Sequence, residues 1–152
     1  MALAKIGLEL KVEDIFAAPH AAVEYCKING LRNIRILVPD EEMVEDFSEF
    51  NLQSENPEAV VLGDMGEQFN HELLNKIFID ILNGALLIAI HKNRFWRSRD
   101  GLTLDLGAYI SALEFAAEKE AVVVGKPNRN FFPLASRHWD LSAKKILVVG
   151  DD

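Results

Sequence analysis

Short, almost continuously apolar runs alternate along this chain with longer segments of helical period, and this alternation constrains the fold more than any other feature. Strands that are buried on both faces of a sheet have this uninterrupted apolar character. Five runs fit the description: Ile34–Val38, Ala59–Leu62, Ala85–Ile90, Ala121–Val124 and Ile146–Val149. Strands that alternate with helices are typical of a parallel or mixed sheet covered by helices. The sequence therefore predicts an α/β fold.

The segments between these runs have the periodicity or the capping residues of helices. The predicted helices are Ala21–Asn29, Asp40 to about Phe50, Phe69–Leu82, Tyr109–Lys119 and a segment that runs through Trp139. The first and third stop before Gly30 and Gly84, because glycine readily adopts the conformation that ends a helix. Asp40 is a good N-cap for the second helix, since its carboxylate accepts hydrogen bonds from free backbone N–H groups.

The charge balance argues against two classes of partner. The chain has 152 residues, and 16 Lys and Arg against 24 Asp and Glu give a formal net charge of −8. Proteins that bind nucleic acids or anionic membranes usually have a positively charged surface rich in Lys and Arg, which this composition does not favour. No apolar run approaches the ~20 residues that span a bilayer, and the single cysteine, Cys26, cannot form an internal disulfide. We expect a cytoplasmic protein that binds neither nucleic acid nor membrane.

A basic and aromatic segment, Lys92–Gly107, interrupts this acidic chain. It carries four cationic side chains beside Phe95 and Trp96. One interpretation is a solvated hairpin whose aromatic side chains cover a neighbouring core. The other is a loop that reaches an anionic substrate.

The residues with the clearest chemical potential follow the last two apolar runs. Lys126 comes just after Ala121–Val124, and Asp151 and Asp152 come just after Ile146–Val149. Ligands of parallel sheets bind outside the carboxyl ends of the strands, so both charged sets are expected at one crevice. A lysine suits phosphate oxygens, and Mg²⁺ takes one or two carboxylates together with phosphate and water. The alternative is a simple Lys126–Asp151 ion pair.

Several other chemistries are not supported. Gly125-Lys126 is not a Walker A loop, because Pro127 stands where that motif has Ser or Thr. The four histidines, at positions 20, 71, 91 and 138, lack the spacing of metal ligands. Cys26 lies on the apolar face of a predicted helix, so we expect a core residue rather than a nucleophile.

Read in order, several stretches resemble the haloacid dehalogenase superfamily, in its phosphatase branch with a large α/β cap (class IIA). The matching stretches are Pro57–Asp64, Gly84–Ala89, Asp100–Leu104, Ala112–Ala116, Val123–Pro127 and Val149–Asp152. Ile90–Trp96 is similar to the subgroup of the phospholysine phosphohistidine inorganic pyrophosphate phosphatase. The resemblance begins at about Ile6 and covers nearly the whole chain.

The resemblance implies Mg²⁺-dependent hydrolysis of small phosphorylated substrates through an aspartyl-phosphate. Lys126 matches the lysine that holds the phosphoryl oxygens, and Asp151 matches the metal ligand, with Asp152 beside it. Asn93 and Arg94 are the expected substrate-binding residues of the cap. The resemblance further implies a core or hinge remnant at 1–18, a cap domain at 19–119 and part of a Rossmann-like catalytic core at 120–152.

The chain departs from the family at the nucleophile. No Asp-x-Asp-Gly-Thr-like motif occurs, and the only acid after an early apolar run is in Val38-Pro39-Asp40-Glu41. We expect a catalytically incomplete fragment in which Ile146–Val149 lacks a neighbouring strand and so frays or drives homo-oligomer formation. A non-enzymatic binding module built on the cap, or a phosphorylation-controlled receiver-like domain, is the alternative function.

Overall fold

The computed structural model describes residue 7, residues 11–142 and residues 146–148. Within these residues the helices are α1 (Ala18–Ile28), α2 (Glu41–Glu45), α3 (His71–Leu82), α4 (Leu106–Ala117) and α5 (Phe131–His138). The strands are β1 (Ile34–Leu37), β2 (Ala59–Leu62), β3 (Leu86–Ala89), β4 (Phe95–Ser98), β5 (Gly101–Leu104) and β6 (Val122–Val123). Short 3-10 helices lie at Val12–Asp14 and Gly66–Gln68. The predicted α/β class is confirmed.

Four of these strands form one parallel sheet in the order β1-β2-β3-β6. The strand β2 is central and buried along its whole length, which explains its unbroken apolar sequence. Four of the five predicted strands therefore exist: β2 has the predicted ends, and the ends of the other three differ by at most one residue.

Helices cover both faces of this sheet. Alternate residues of a strand point to opposite faces, so Val61 and Ile88 pack toward α1 and α5, whereas Val60 and Leu87 pack toward α3 and α4. The two resulting cores contain most of the buried side chains of the described chain. The sheet thus forms the middle of a three-layer α/β/α arrangement.

The segment after Asp40 is less helical than the sequence predicts. Asp40 caps α2 as expected, because its Oδ1 accepts a hydrogen bond from the Glu42 N–H at 3.0 Å. The α-helix then ends at Glu45 instead of reaching Phe50, and tighter i to i−3 backbone bonds follow, including Phe50 N–H to Phe47 O. Phe47 is fully buried, and Phe50 packs on the same core. Residues three apart in a 3-10 turn lie on the same side of the chain, so these turns direct both rings toward that core.

The basic and aromatic segment forms an antiparallel hairpin of β4 and β5, with Phe95 opposite Leu104. The segment is therefore a hairpin, and its contact with an anionic substrate remains a prediction. Phe95 and Trp96 are each 49% exposed, and neither belongs to the two hydrophobic cores of the described residues.

The predicted strand Ile146–Val149 is wrong for the residues that the structure describes. Residues 146–148 belong to no strand, and Leu147 is 86% exposed. An extended segment becomes a strand only when a neighbour pairs with its backbone, and none of the described strands does so. Val149 lies outside the described residues.

The sheet also runs across the predicted domain boundary after Lys119. β6 pairs with β3, and Phe131 of α5 lies in the same core as Ala21 of α1. The division into a remnant, a cap and a core part remains a prediction. No helix among the described residues is long and apolar enough to cross a membrane.

Candidate functional site

The carboxyl ends of the four parallel strands meet at one edge of the sheet, which we call the carboxyl edge. The backbone ladder extends one residue beyond β2, β3 and β6: Gly63 N–H donates to Leu37 O at 2.8 Å, Ile90 N–H to Leu62 O at 3.1 Å and Val124 N–H to Ala89 O at 3.0 Å. The loops that follow β3 and β6 are therefore neighbours. Side chains of these loops are expected to face a common ligand.

Gly125 brings the loop after β6 close to the end of β3. A Cβ atom at this position would overlap the carbonyl oxygen of Ile90, so no larger residue fits without backbone movement. This close approach places Lys126 directly beside the loop that starts at His91. The sequence identified Gly125 and Lys126, but it did not reveal the Ile90 carbonyl group that makes a glycine necessary at position 125.

Lys126 is exposed and lies over an aromatic ring. Its Nζ atom is 5.6 Å from the ring centroid of Phe131. Among the described residues, no carboxylate lies within 4 Å of this nitrogen, so its charge is not neutralised there. A cation held in this way is available to an anionic ligand.

Two asparagines shape the turn between Lys126 and α5. The Asn130 side-chain amide donates to the carbonyl oxygen of Val123 at 3.0 Å, and Asn128 Oδ1 accepts from the Asn130 N–H at 3.0 Å. The Asn128 N–H donates to Gly125 O at 3.0 Å. These bonds tie the turn to β6 and fix where Lys126 leaves the sheet. The sequence reasoning missed both asparagines, although closely spaced Asn residues before a helix are typical of such turns.

Asn93 and Arg94 lie in the loop that follows β3, on backbone that is firmly held. Asn93 O accepts from the Gly107 N–H at 2.8 Å, and Arg94 O accepts from the Asp105 N–H at 3.2 Å. Gly107 is required here too, because a Cβ would overlap the Asn93 carbonyl oxygen. Both side chains are exposed, and the Arg94 guanidinium lies 5.6 Å from the Phe95 ring centroid.

Glu114 of α4 links the two loops. Its Oε2 pairs with Lys92 Nζ at 2.6 Å, and its Oε1 accepts from the backbone N–H of Ala121 at 2.9 Å. One carboxylate thereby connects the base of the hairpin to the start of β6. This connection is long-range in sequence, which is why local patterns do not show it.

A second acid at this edge is buried beside a histidine. Asp105 is 5% exposed, caps α4 through the Leu106 N–H at 2.7 Å, and lies 3.7 Å from His91 Nε2. The His91 Nδ1 atom is buried and has no hydrogen-bond partner among the described residues. The sequence reasoning treated this histidine only as a poor metal ligand.

The structure brings Lys126, Asn93 and Arg94 to neighbouring strand ends. Asp151 and Asp152 lie outside the described residues, so the predicted metal site and the alternative ion pair remain predictions. The described residues contain no group of three or more His, Cys, Asp or Glu side chains that could hold a metal.

Cys26 is a core residue, as predicted. It is fully buried in the core beneath α1, and burial raises the pKa of its thiol to about 12. The thiolate that nucleophilic chemistry needs is scarce at neutral pH.

Two cavities lie at the opposite, amino edge of the sheet. They have volumes of about 450 and 480 Å³, and both are lined by Asp80 of α3. Neither is lined by Lys126, Asn93 or Arg94. These two cavities are thus distinct from the edge that the sequence indicates.

Known proteins resemble this chain over its whole length. It is 39% identical to haloacid dehalogenase-like hydrolase domain-containing protein 2 of Rattus norvegicus over 150 residues, which are 99% of this chain and 56% of that protein. It is 34% identical to the phospholysine phosphohistidine inorganic pyrophosphate phosphatase of Xenopus laevis, again covering 99% of this chain and 55% of that protein. The predicted resemblance to the haloacid dehalogenase-like phosphatases is confirmed.

The fold agrees with this relationship. A p-nitrophenyl phosphatase from Archaeoglobus fulgidus superposes with a TM-score of 0.80 at 26% identity, covering 93% of this chain and 56% of that one. No protein-family model matches the chain. The chain spans about half the length of the haloacid dehalogenase-like relatives it matches.

Proposed function

We propose that this chain provides the cap and the lysine-containing half of the active site of a haloacid dehalogenase-like phosphatase. The observation that carries the proposal is Lys126, exposed at the carboxyl edge without a carboxylate partner among the described residues and next to the loop of Asn93 and Arg94. A structural lysine is expected to have an acidic partner or to lie far from such an edge. An exposed cation at a strand end is suited to phosphoryl oxygens.

Each predicted residue has a role in this proposal. Lys126 binds the phosphoryl oxygens and stabilises the charge that develops on them in the transition state. Asp151, with Asp152 beside it, holds Mg²⁺, which supplies further charge neutralisation when bound. Asn93 and Arg94 contact the remainder of the substrate from the cap side.

The substrate class is a small phosphorylated molecule, either a phosphate ester or a phosphoanhydride. The Xenopus laevis relative is named for inorganic pyrophosphate, phospholysine and phosphohistidine. The exposed Arg94, Arg97 and Arg99 of the hairpin favour anionic leaving groups among these. We infer that the 152 residues are inactive alone, because they contain no Asp-x-Asp-Gly-Thr-like motif to supply a nucleophile.

A chimera tests the proposal. The matched segment of the Xenopus laevis relative is replaced by this chain, and hydrolysis of inorganic pyrophosphate is measured with Mg²⁺ against the unmodified relative. We expect the chimera to be active and Lys126→Met to lower kcat/KM by about 100-fold or more, the usual loss of an electrostatic stabiliser. Arg94→Ala is expected to change KM more than kcat.

Two results would contradict the proposal. One is a chimera whose activity survives Lys126→Met. The other is hydrolysis of p-nitrophenyl phosphate by the 152-residue chain alone that Asp151→Asn abolishes, since this would show that the chain contains its own nucleophile. Arg137→Ala, on the exposed end of α5, is the matched control for loss of a cation away from the site.

A further inference from the structure

We propose that Phe131 is a positioning residue for Lys126, whose buried ring holds the ammonium group at the carboxyl edge ready for a phosphoryl group. The inference rests on the proposed function and adds a residue to it. Lys126 Nζ lies 5.6 Å from the Phe131 ring centroid, within the ~6 Å over which an aromatic face attracts a cation.

The ring itself is firmly placed. Phe131 is only 6% exposed, and its edge meets the ring of Phe16 at a centroid distance of 5.5 Å and an angle of 61°. The ring of Phe132 also meets it, at a centroid distance of 5.5 Å and an angle of 87°. Aromatic pairs with such edge-on geometry are favourable, so the face beneath Lys126 has a fixed orientation.

The backbone fixes the distance between ring and lysine. The Phe131 N–H donates to Asn128 O at 3.1 Å, and the Asn130 side chain ties the turn to β6. Only four residues separate Lys126 from Phe131 along this turn. The turn therefore places the Phe131 ring next to the end of β6, where the Lys126 side chain begins.

An aromatic ring suits this task better than a carboxylate. A carboxylate would hold the ammonium group but would also compete with the phosphate for it. A ring restricts the long, flexible lysine side chain and leaves its positive charge unneutralised. Restricting a binding group in advance reduces the entropy lost when the ligand arrives.

Nuclear magnetic resonance of the 152-residue chain tests the contact directly. We expect an upfield ring-current shift of the Lys126 ε-methylene protons and nuclear Overhauser contacts to the Phe131 ring. Phe131→Leu should remove the shift and weaken binding of inorganic phosphate about two- to fivefold. Phe131→Tyr keeps a ring and should retain both properties.

The neighbouring aromatic residue gives a matched control. Phe132 is 38% exposed and has no cation over its ring among the described residues, so Phe132→Leu should change neither the Lys126 signals nor phosphate binding. Absence of the Overhauser contacts in the unmodified chain would overturn the inference even if Phe131→Leu fails to fold. So would equal effects of Phe131→Leu and Phe132→Leu on phosphate binding.

The two proposals fail in different ways. Phosphate binding that is unchanged by Lys126→Met overturns the proposed function, whether or not the ring-current shift is observed. A missing shift together with phosphate binding that depends on Lys126 overturns only the role of Phe131.

Discussion

The two edges of the parallel sheet use their charged residues in opposite ways. At the amino edge, Arg35 of β1 forms an ion pair with Asp80 of α3, with Nε 2.6 Å from Oδ2, and both side chains are largely buried. At the carboxyl edge, Lys126 is exposed and lies over the ring of Phe131, with no carboxylate partner in the part of the chain that the structure describes. The Arg35–Asp80 pair satisfies both charges inside the protein, whereas the Lys126 charge has no such partner among the described residues. We therefore assign the phosphoryl group of the proposed function to the carboxyl edge, although two cavities lie at the amino edge.

The largest expected effect comes from removing a charged partner at the amino edge. Asp80→Ala leaves the Arg35 guanidinium largely buried without its counterion, and we expect a loss of about 3–5 kcal/mol in the free energy of unfolding. Lys126→Ala, at the carboxyl edge, should change it by less than about 0.5 kcal/mol. Urea denaturation at pH 7 measures both.

The double variant Arg35→Met with Asp80→Leu separates loss of the pair from exposure of a lone charge. It should recover a large part of the stability lost in Asp80→Ala, because no unpaired charge remains. A similar loss from Asp80→Ala and Lys126→Ala would contradict the distinction between the edges.

The next effect concerns backbone packing at the carboxyl edge. Gly125→Ala forces a methyl group against the Ile90 carbonyl, and we expect a destabilisation of about 3 kcal/mol, at the upper end of overpacking costs. Gly66→Ala is the matched control, because Gly66 has a φ of 51° but open space around it. Only the cost of placing a Cβ-bearing residue in the left-handed region, about 1–2 kcal/mol, applies there. Thermal unfolding of both variants measures the difference. Equal decreases in Tm for Gly125→Ala and Gly66→Ala would show that the close approach of Gly125 to the Ile90 carbonyl is not important.

Local patterns were sufficient to predict much of this architecture. The strand β2 and the helix α3 follow from apolar runs, periodicity and the terminating Gly84. Residues 146–148 belong to no strand, although their apolar sequence predicts one. An apolar run becomes a strand only where a neighbour pairs with its backbone, and the missing nucleophile motif had already indicated that this neighbour is absent.

The site residues that directly follow a strand could be predicted from the sequence. The residues whose role depends on tertiary packing could not. Lys126 and Asn93 were identified because they come directly after apolar runs or within a matching stretch. Phe131, Glu114 and the His91–Asp105 pair act through contacts that no sequence spacing defines. Gly107 and Gly125 can be read from the sequence. The backbone carbonyl groups that make a glycine necessary at these positions are known only from the structure.

A smaller effect is expected from pH at the amino edge. Hydrogen bonds from the backbone N–H groups of Asn33 and Arg32, each 2.8 Å from Glu58 Oε2, lower the pKa of the Glu58 carboxyl. A lowered pKa means that the contribution of Glu58 to stability is present above the ordinary glutamate value of about 4.3 and is lost as the pH falls through the lowered value.

Urea midpoints of the unmodified chain and Glu58→Gln test this dependence. The difference between them should be largest at pH 7 and should shrink below the ordinary glutamate pKa. Glu120→Gln serves as the control, because Glu120 is exposed, lies outside the helices and strands, and has no hydrogen bond or ion pair among the described residues. A difference that is independent of pH would show that the charge of Glu58 does not stabilise this turn.

The central claim is that the carboxyl edge, and not the amino edge with its two cavities, binds a phosphoryl group. It is tested most directly by titrating the 15N-labelled chain with inorganic pyrophosphate and Mg²⁺ and following the backbone amide signals. We expect changes concentrated at Asn93, Arg94 and residues 125–128, and their loss in Lys126→Met. Changes centred on Asp80 and Asn83, or changes that persist in Lys126→Met, would contradict the account.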